Sequence, residues 1–259
     1  MTTPFLDLQH ATLSFALGLA RIGPALLFIP LFGDKALTSS VLRGVMLALV
    51  SLALLPTFES SAQALSSRPL LVTALKEATI GLVVGFTFGA PYLAALACGE
   101  MLDNQRGATI AKSIDPAAGV EASILAAFMG FLWTVTFALG GGVLRLMETL
   151  AASYRHLPLA DSFALDLTTL TAAASVLGQA LMAGILAASP AVGAMLLVEI
   201  LLGVLSRFAP QLSPFSIALT VKSLIACLIL VLYFGGWAFD FFNSIQMAWP
   251  VQRVFPEGS

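Results

Sequence analysis

The chain is a succession of long apolar runs separated by polar breaks, and none of the runs alternates. Apolar stretches cover residues 11–32, 41–58, 70–98, 122–147, 167–189, 191–206 and 217–239. A half-buried strand would switch between apolar and polar at every second residue, and an outer-membrane barrel needs many ~10-residue segments of that kind. At ~1.5 Å per residue, the longer runs reach across a ~30 Å hydrocarbon layer as helices. The pattern predicts an all-α chain of six to seven apolar helices, integral to a membrane or embedded in a membrane complex. The opening MTTPFLDLQHA has neither a positively charged start nor a small-residue cleavage pattern. The first run is therefore expected to stay in the mature protein.

Prolines and glycines punctuate the runs. Pro91 is expected to kink the third, and Pro190 to end or bend the alanine-rich stretch that begins at residue 167. The third run carries Gly81, Gly85 and Gly89 at four-residue intervals, with Glu77 one step back on the same row. That spacing keeps all four on one helical face. Glycine rows admit a second helix to near backbone contact, and this one is expected to face a partner subunit. Gly140, Gly141 and Gly142 each cost a helix about 1 kcal/mol relative to alanine, which predicts a break or a very tight contact. A polar connection is expected over residues 148–166, containing HLPLADS.

Between the third and fourth runs lies GEMLDNQRGATIAKSIDPAAGVEA, residues 99–122, with Glu100, Asp103, Arg106, Lys112, Asp115 and Glu121. Its glycines and its Asp115-Pro116 step favour irregular backbone. A polar, irregular segment in so apolar a chain is either a solvated connection or a functional loop on a rigid scaffold. The part up to Gln105 reads as helix continuation.

Composition sharpens the class. The chain is 59% hydrophobic and 10% charged, with mean hydropathy +0.97, against about 25% charged in soluble domains. Lipid or partner subunits must cover its surface. Net charge −2 gives no basic face for nucleic acid. Arg21, Lys76, Glu77, Glu199 and Lys222 fall inside or at the edge of apolar runs, where a charge facing lipid costs a few kcal/mol or more. They either line a solute or ion path or meet partner groups. Lys35, Arg43, Arg68, Arg106, Lys112 and Arg155 are spread almost evenly over the connections, a poor topology signal, which favours partners. Cys98, Cys227, His10 and His156 have no metal-ligand spacing. No nucleophile elbow, zinc-protease helix or phosphate loop is present. Catalytic residues, metal and cofactor are all expected to be absent.

Four stretches carry a family resemblance: R-x-x-P-x-x-x-x-x-P-x-F from Arg21 to Phe32, KEATIGLVVGFTFGAP at 76–91, GEMLDNQRGATIAKSIDPAAGVEASILAAF at 99–128, and LSRFAPQLSPFSIALTVKSLIA at 205–226. With these motifs the chain resembles the SctT family of type III secretion export apparatus subunits, homologous to flagellar FliR. The third stretch points to the injectisome branch. The last departs at Ser213, where the motif usually reads Asn. The resemblance implies a non-enzymatic subunit of the export gate in the bacterial inner membrane, within the secretion-system base. It implies assembly with SctR and SctS, contact with the SctU switch protein and membrane lipid, and passage of unfolded secreted substrates. It further implies an R-subunit-like helical part over 1–166, an S-subunit-like helical hairpin over 167–240, and a tail over 241–259. A loop helping to plug the closed pore would be Arg106, Gly107, Ala108, Thr109, Ile110, Lys112, Ile114, Asp115, Pro116, Gly119 and Glu121. Two alternatives stand beside this. One is a small-solute or ion transporter using Arg21, Glu77, Glu199 and Lys222; the other is a scaffold without pore contact.

Overall fold

A computed structural model describes residues 4–33, 37–58, 69–107, 123–159, 167–208 and 214–234. Among them are seven α-helices and no strand: α1 (Pro4–Leu27), α2 (Ser40–Phe58), α3 (Leu70–Gln105), α4 (Ile124–Leu139), α5 (Gly142–His156), α6 (Leu167–Phe208) and α7 (Pro214–Phe234). A short 3-10 turn, Pro30–Phe32, follows α1. The chain is all-helical, as the apolar runs predict.

Two boundaries differ from the sequence reading, each for a physical reason. The expected polar connection begins with helix: α5 runs to His156. Leu146, Leu150 and Tyr154 recur at four-residue spacing and are buried, while Glu148 and Arg155 are exposed. This is a one-sided helix whose polar face hid it. Second, α6 runs unbroken through Pro190 for 42 residues, which at ~1.5 Å each is about twice a bilayer's hydrocarbon thickness. As the sequence implies, α3 continues past Cys98 to Gln105, with Pro91 inside it. The glycine triplet does break the chain: Gly141 takes φ 76 and separates α4 from α5. Only glycine adopts that conformation at no steric cost.

The described residues form two compact units, one drawn from the chain up to Ala90 and from Ala138 to Leu177, the other from Pro91–Phe137 and from Gly178 onward. The first holds α1, α2, the beginning of α3 and α5. Here α1 and α3 run parallel at backbone contact. A Cβ at Gly81 would collide with the Arg21 carbonyl and one at Gly85 with the Ala25 carbonyl. At Gly89 it would come within 2.8 Å of the Phe28 carbonyl. Phe28 and Phe86 meet edge to face at 5.8 Å beside this seam. The glycine row therefore packs on the chain's own first helix, which corrects the expectation that Glu77, Gly81, Gly85 and Gly89 face a partner subunit. Parallel helices joined by a long connection can satisfy one another within a single chain, and spacing alone does not reveal that.

In the second unit, α3 from Pro91 onward and α4 form an antiparallel pair. Gly99 abuts the backbone of Leu125 and Ala126, and Gly130 lies against Tyr92 and Leu96. Trp133, fully buried, stacks on Phe137 at 4.8 Å and lies 5.6 Å from Tyr92. On α6, Gly184 would place a Cβ 2.6 Å from the Ala94 carbonyl. Among the described residues two helices are long and apolar enough to cross a membrane, α3 and the Ala174–Phe208 part of α6, with the bent α4–α5 pair a third if it counts as one span. Their spanning windows are 61% and 17% buried respectively, so α3 is a core element while α6 presents most of its apolar surface outward.

A side chain at Gly85 should disturb the first unit itself. Gly85→Leu is expected to lower folded stability by about 2–3 kcal/mol or more. Gly44→Ala, whose added Cβ meets nothing within 4 Å, should be neutral or stabilising by up to about 1 kcal/mol. Thermal unfolding of the solubilised protein compares the two, and equal losses would refute the packing account.

Candidate functional site

An apolar protein keeps a charge inside only when other groups meet it, and among the described residues three ionic groupings do this. The first is centred on Arg21. It lies on the face of α1 that Leu17, Ile22 and Ala25 bury, and both Arg21 and Glu77 are 0% exposed. Nε of Arg21 donates to Glu77 Oε2 at 2.6 Å. One terminal nitrogen donates to the Ser153 hydroxyl at 3.0 Å and the other to the Leu157 carbonyl at 2.8 Å. The guanidinium stacks 4.0 Å above the Tyr154 ring, whose hydroxyl donates to the Gly18 carbonyl at 3.3 Å. Planar, always charged and rich in donors, arginine suits such a site.

Lys76 adds to this centre. Its ammonium donates to the carbonyls of Pro158 at 2.8 Å and Leu159 at 3.2 Å and lies 3.0 Å from Glu77 Oε1. Two cations thus hold three consecutive carbonyls just past the C-terminus of α5. Backbone oxygens left over at a helix end attract positive charge there. The expectation that these charges meet partner groups is corrected: Arg21, Lys76 and Glu77 satisfy one another and α5's end within the chain.

The second grouping stands where the central segment leaves and returns. Asp103, on the last turn of α3, is 1% exposed. Its Oδ1 accepts from Arg106 Nε at 2.5 Å, and its Oδ2 from the Ser123 hydroxyl and from the Leu125 N–H at 2.9 Å. Ser123 also caps α4, accepting from the Ala126 N–H at 3.0 Å. Gly107, at φ 78, turns the chain away from α3. The sequence places Asp103 in the stretch that continues the helix and does not announce its burial. Two signals for its placement were available: Gly99 and Asp103 share a helical face, and Ser123 precedes an apolar run as an N-cap does.

The third is a single pair. Lys222 on α7 donates to Glu199 Oε2 on α6 at 2.7 Å. Lys222 is 8% exposed by its side chain, whereas Glu199 is 57% exposed. The expectation of burial is corrected for Glu199, which sits on the outward flank of α6 and reaches inward only to its partner. Of the proposed plug residues, Arg106 and Gly107 are placed as above. Ala108, Thr109, Ile110, Lys112, Ile114, Asp115, Pro116, Gly119 and Glu121 lie outside the described residues. Among the described residues no cluster of His, Cys, Asp or Glu is arranged to hold a metal ion. What the groupings can do chemically is fix helix ends in place.

A family model described as bacterial export proteins, family 1, matches residues 12–248. The chain belongs to this family. It is 36% identical over 231 residues to the surface presentation of antigens protein SpaR of Salmonella typhimurium, covering 89% of this chain and 86% of the relative. Yop proteins translocation protein T of Yersinia pestis is 29% identical over 228 residues, 87% of each chain. Flagellar biosynthetic protein FliR of Escherichia coli is 27% identical over 194 residues, 73% of this chain and 71% of the relative. The chain is an export subunit of the SctT and FliR type, as the motifs imply, and a helical membrane protein.

Breaking the first grouping should be costly. Glu77→Gln is expected to lose about 3–5 kcal/mol because it strands a buried guanidinium. Glu199→Gln should lose no more than about 1 kcal/mol at its exposed site. Denaturant unfolding of the solubilised protein ranks the two; the reverse order would contradict the assigned burial.

Proposed function

We propose that the chain is a non-enzymatic subunit of a type III secretion export gate. With R- and S-type subunits it forms the channel by which unfolded effector proteins cross the bacterial inner membrane, and a U-type switch protein contacts the assembly. Residues 1–166 form the R-like part, 167–240 the S-like hairpin and 241–259 a tail. The segment 106–122 helps plug the closed pore.

The observation that carries the plug assignment is the position of the segment's ends. They leave and re-enter at one end of the tightly packed α3–α4 pair, between Gln105 and Ile124. A plug must block small ions yet yield to an arriving chain, which asks for a segment of low local stability on a rigid base. Ile110 and Ile114 would occlude, while Arg106 and Lys112 would meet carboxylates. Partner subunits supply cover for the outward apolar face of α6, where Leu197, Ile200, Leu201 and Val204 are more than half exposed. The transporter alternative is weakened because Arg21 and Glu77 are fully enclosed and paired rather than laid along an open path.

Deleting residues 107–119 should leave assembly intact and make the closed complex permeable to ions or a small dye. Unchanged permeability would sink the plug reading. The chain produced without its partner subunits should be recovered in lower folded yield than with them; equal yield and stability alone would favour the transporter.

A further inference from the structure

Where α1 ends and α2 begins, the first unit leaves a cavity of about 350 Å³, within the ~300–1,000 Å³ range of small-molecule sites. Leu26 and Leu27 line it from α1, Phe32 from the 3-10 turn, and Met46 and Leu47 from α2. Leu26 is buried, whereas Leu27 is 78% exposed, so the cavity reaches from the core to the apolar exterior. Outside it, Val41, Val45 and Leu49 continue that apolar surface along α2. Gly23 gives the cavity depth, because a Cβ there would meet only Leu47 Cδ1, at 3.8 Å.

Among the described residues that line the cavity, Arg43 alone is charged. It stands in the first turn of α2, which carries no acidic side chain. The guanidinium and the positive end of the helix therefore add rather than cancel. One terminal nitrogen of Arg43 donates to the Ser40 hydroxyl at 3.3 Å, which orients the group at that end. A guanidinium carries five donors, serves several acceptors at once and matches phosphate in shape. A free anion would leave the apolar walls unfilled, and an uncharged chain would gain nothing from Arg43. A molecule with an apolar chain and an anionic head suits both, and for a membrane protein the bilayer supplies it.

We propose that this cavity binds an anionic phospholipid, with an acyl chain among Leu26, Leu27, Phe32, Met46 and Leu47 and the phosphate at Arg43. The site rests on the helical membrane class of the chain and does not depend on the plug. A lipid bound there touches both α1 and α2 and stabilises the first unit by mass action.

The test uses the co-expressed export complex in detergent, with phosphatidylglycerol, phosphatidylcholine or inorganic phosphate added. Native mass spectrometry reads bound lipid as the difference between variant and parent complex, so that lipid held elsewhere cancels. The parent should prefer phosphatidylglycerol about fivefold, the pull of one arginine on a net negative lipid. Arg43→Gln should abolish that preference. Gly23→Leu, whose side chain enters the cavity, should weaken both lipids about tenfold, and Met46→Trp replaces it should it fail to assemble. Arg155→Gln, at an exposed arginine on α5, should change nothing. Equal affinity for the two lipids, or an unchanged preference in Arg43→Gln, would overturn the anionic site. Unaltered binding in the filling variants would overturn the cavity as its place. Full competition by inorganic phosphate at equal concentration would mark a simple anion site and overturn the lipid.

Discussion

A charge enclosed in an apolar protein must be met on every side, and meeting Arg21 decides how the first unit is put together. Its guanidinium offers five donors in a fixed plane. Glu77, Ser153 and the Leu157 carbonyl take up three of those directions, and the Tyr154 ring covers its face. Those partners come from α3, from α5 and from the turn beyond it, so one side chain sets the register of three helices. The cost of leaving it unmet, several kcal/mol, is what makes that register unique. Dispersion and burial would accept many sliding arrangements of apolar helices; an enclosed ion accepts few.

The glycines follow from the same requirement. Arg21 and Glu77 can bond at 2.6 Å only if α1 and α3 approach to backbone contact. Gly81, Gly85 and Gly89, which continue the Glu77 row, remove the side chains that would hold them apart. In the second unit the same pairing recurs with Asp103 and Gly99. There the ionic group meets helix ends rather than another helix's middle, and the glycine admits the α4 backbone. Ionic groups choose the location, and glycines permit the distance.

For an export protein this division of labour has a consequence. The ionic centres tie together α1, α3 and α5 in the first unit and the ends of α3 and α4 in the second, whereas α2, α6 and α7 leave long apolar faces outward, with Leu49, Leu201 and Leu232 all more than half exposed. Such faces are satisfied by lipid or by neighbouring proteins.

The sequence by itself determined the helical class, the break at Gly140–Gly141 and the continuation of α3 into the central segment, because these depend on local periodicity and local backbone freedom. The motif stretches also determined the family. What only the tertiary structure decided was direction and partner. Spacing put Glu77, Gly81, Gly85 and Gly89 on one face, yet only the fold showed that α1 of the same chain occupies it. The amphipathic α5 was concealed by its own solvent face, and Glu199 and Lys222, alike in the sequence, differ severalfold in exposure. The stretch 99–122 was singled out as connection or functional loop. Its ends proved to be tied to a carboxylate whose burial no local pattern announces, because burial is a property of what packs around a residue and not of its neighbours in the chain.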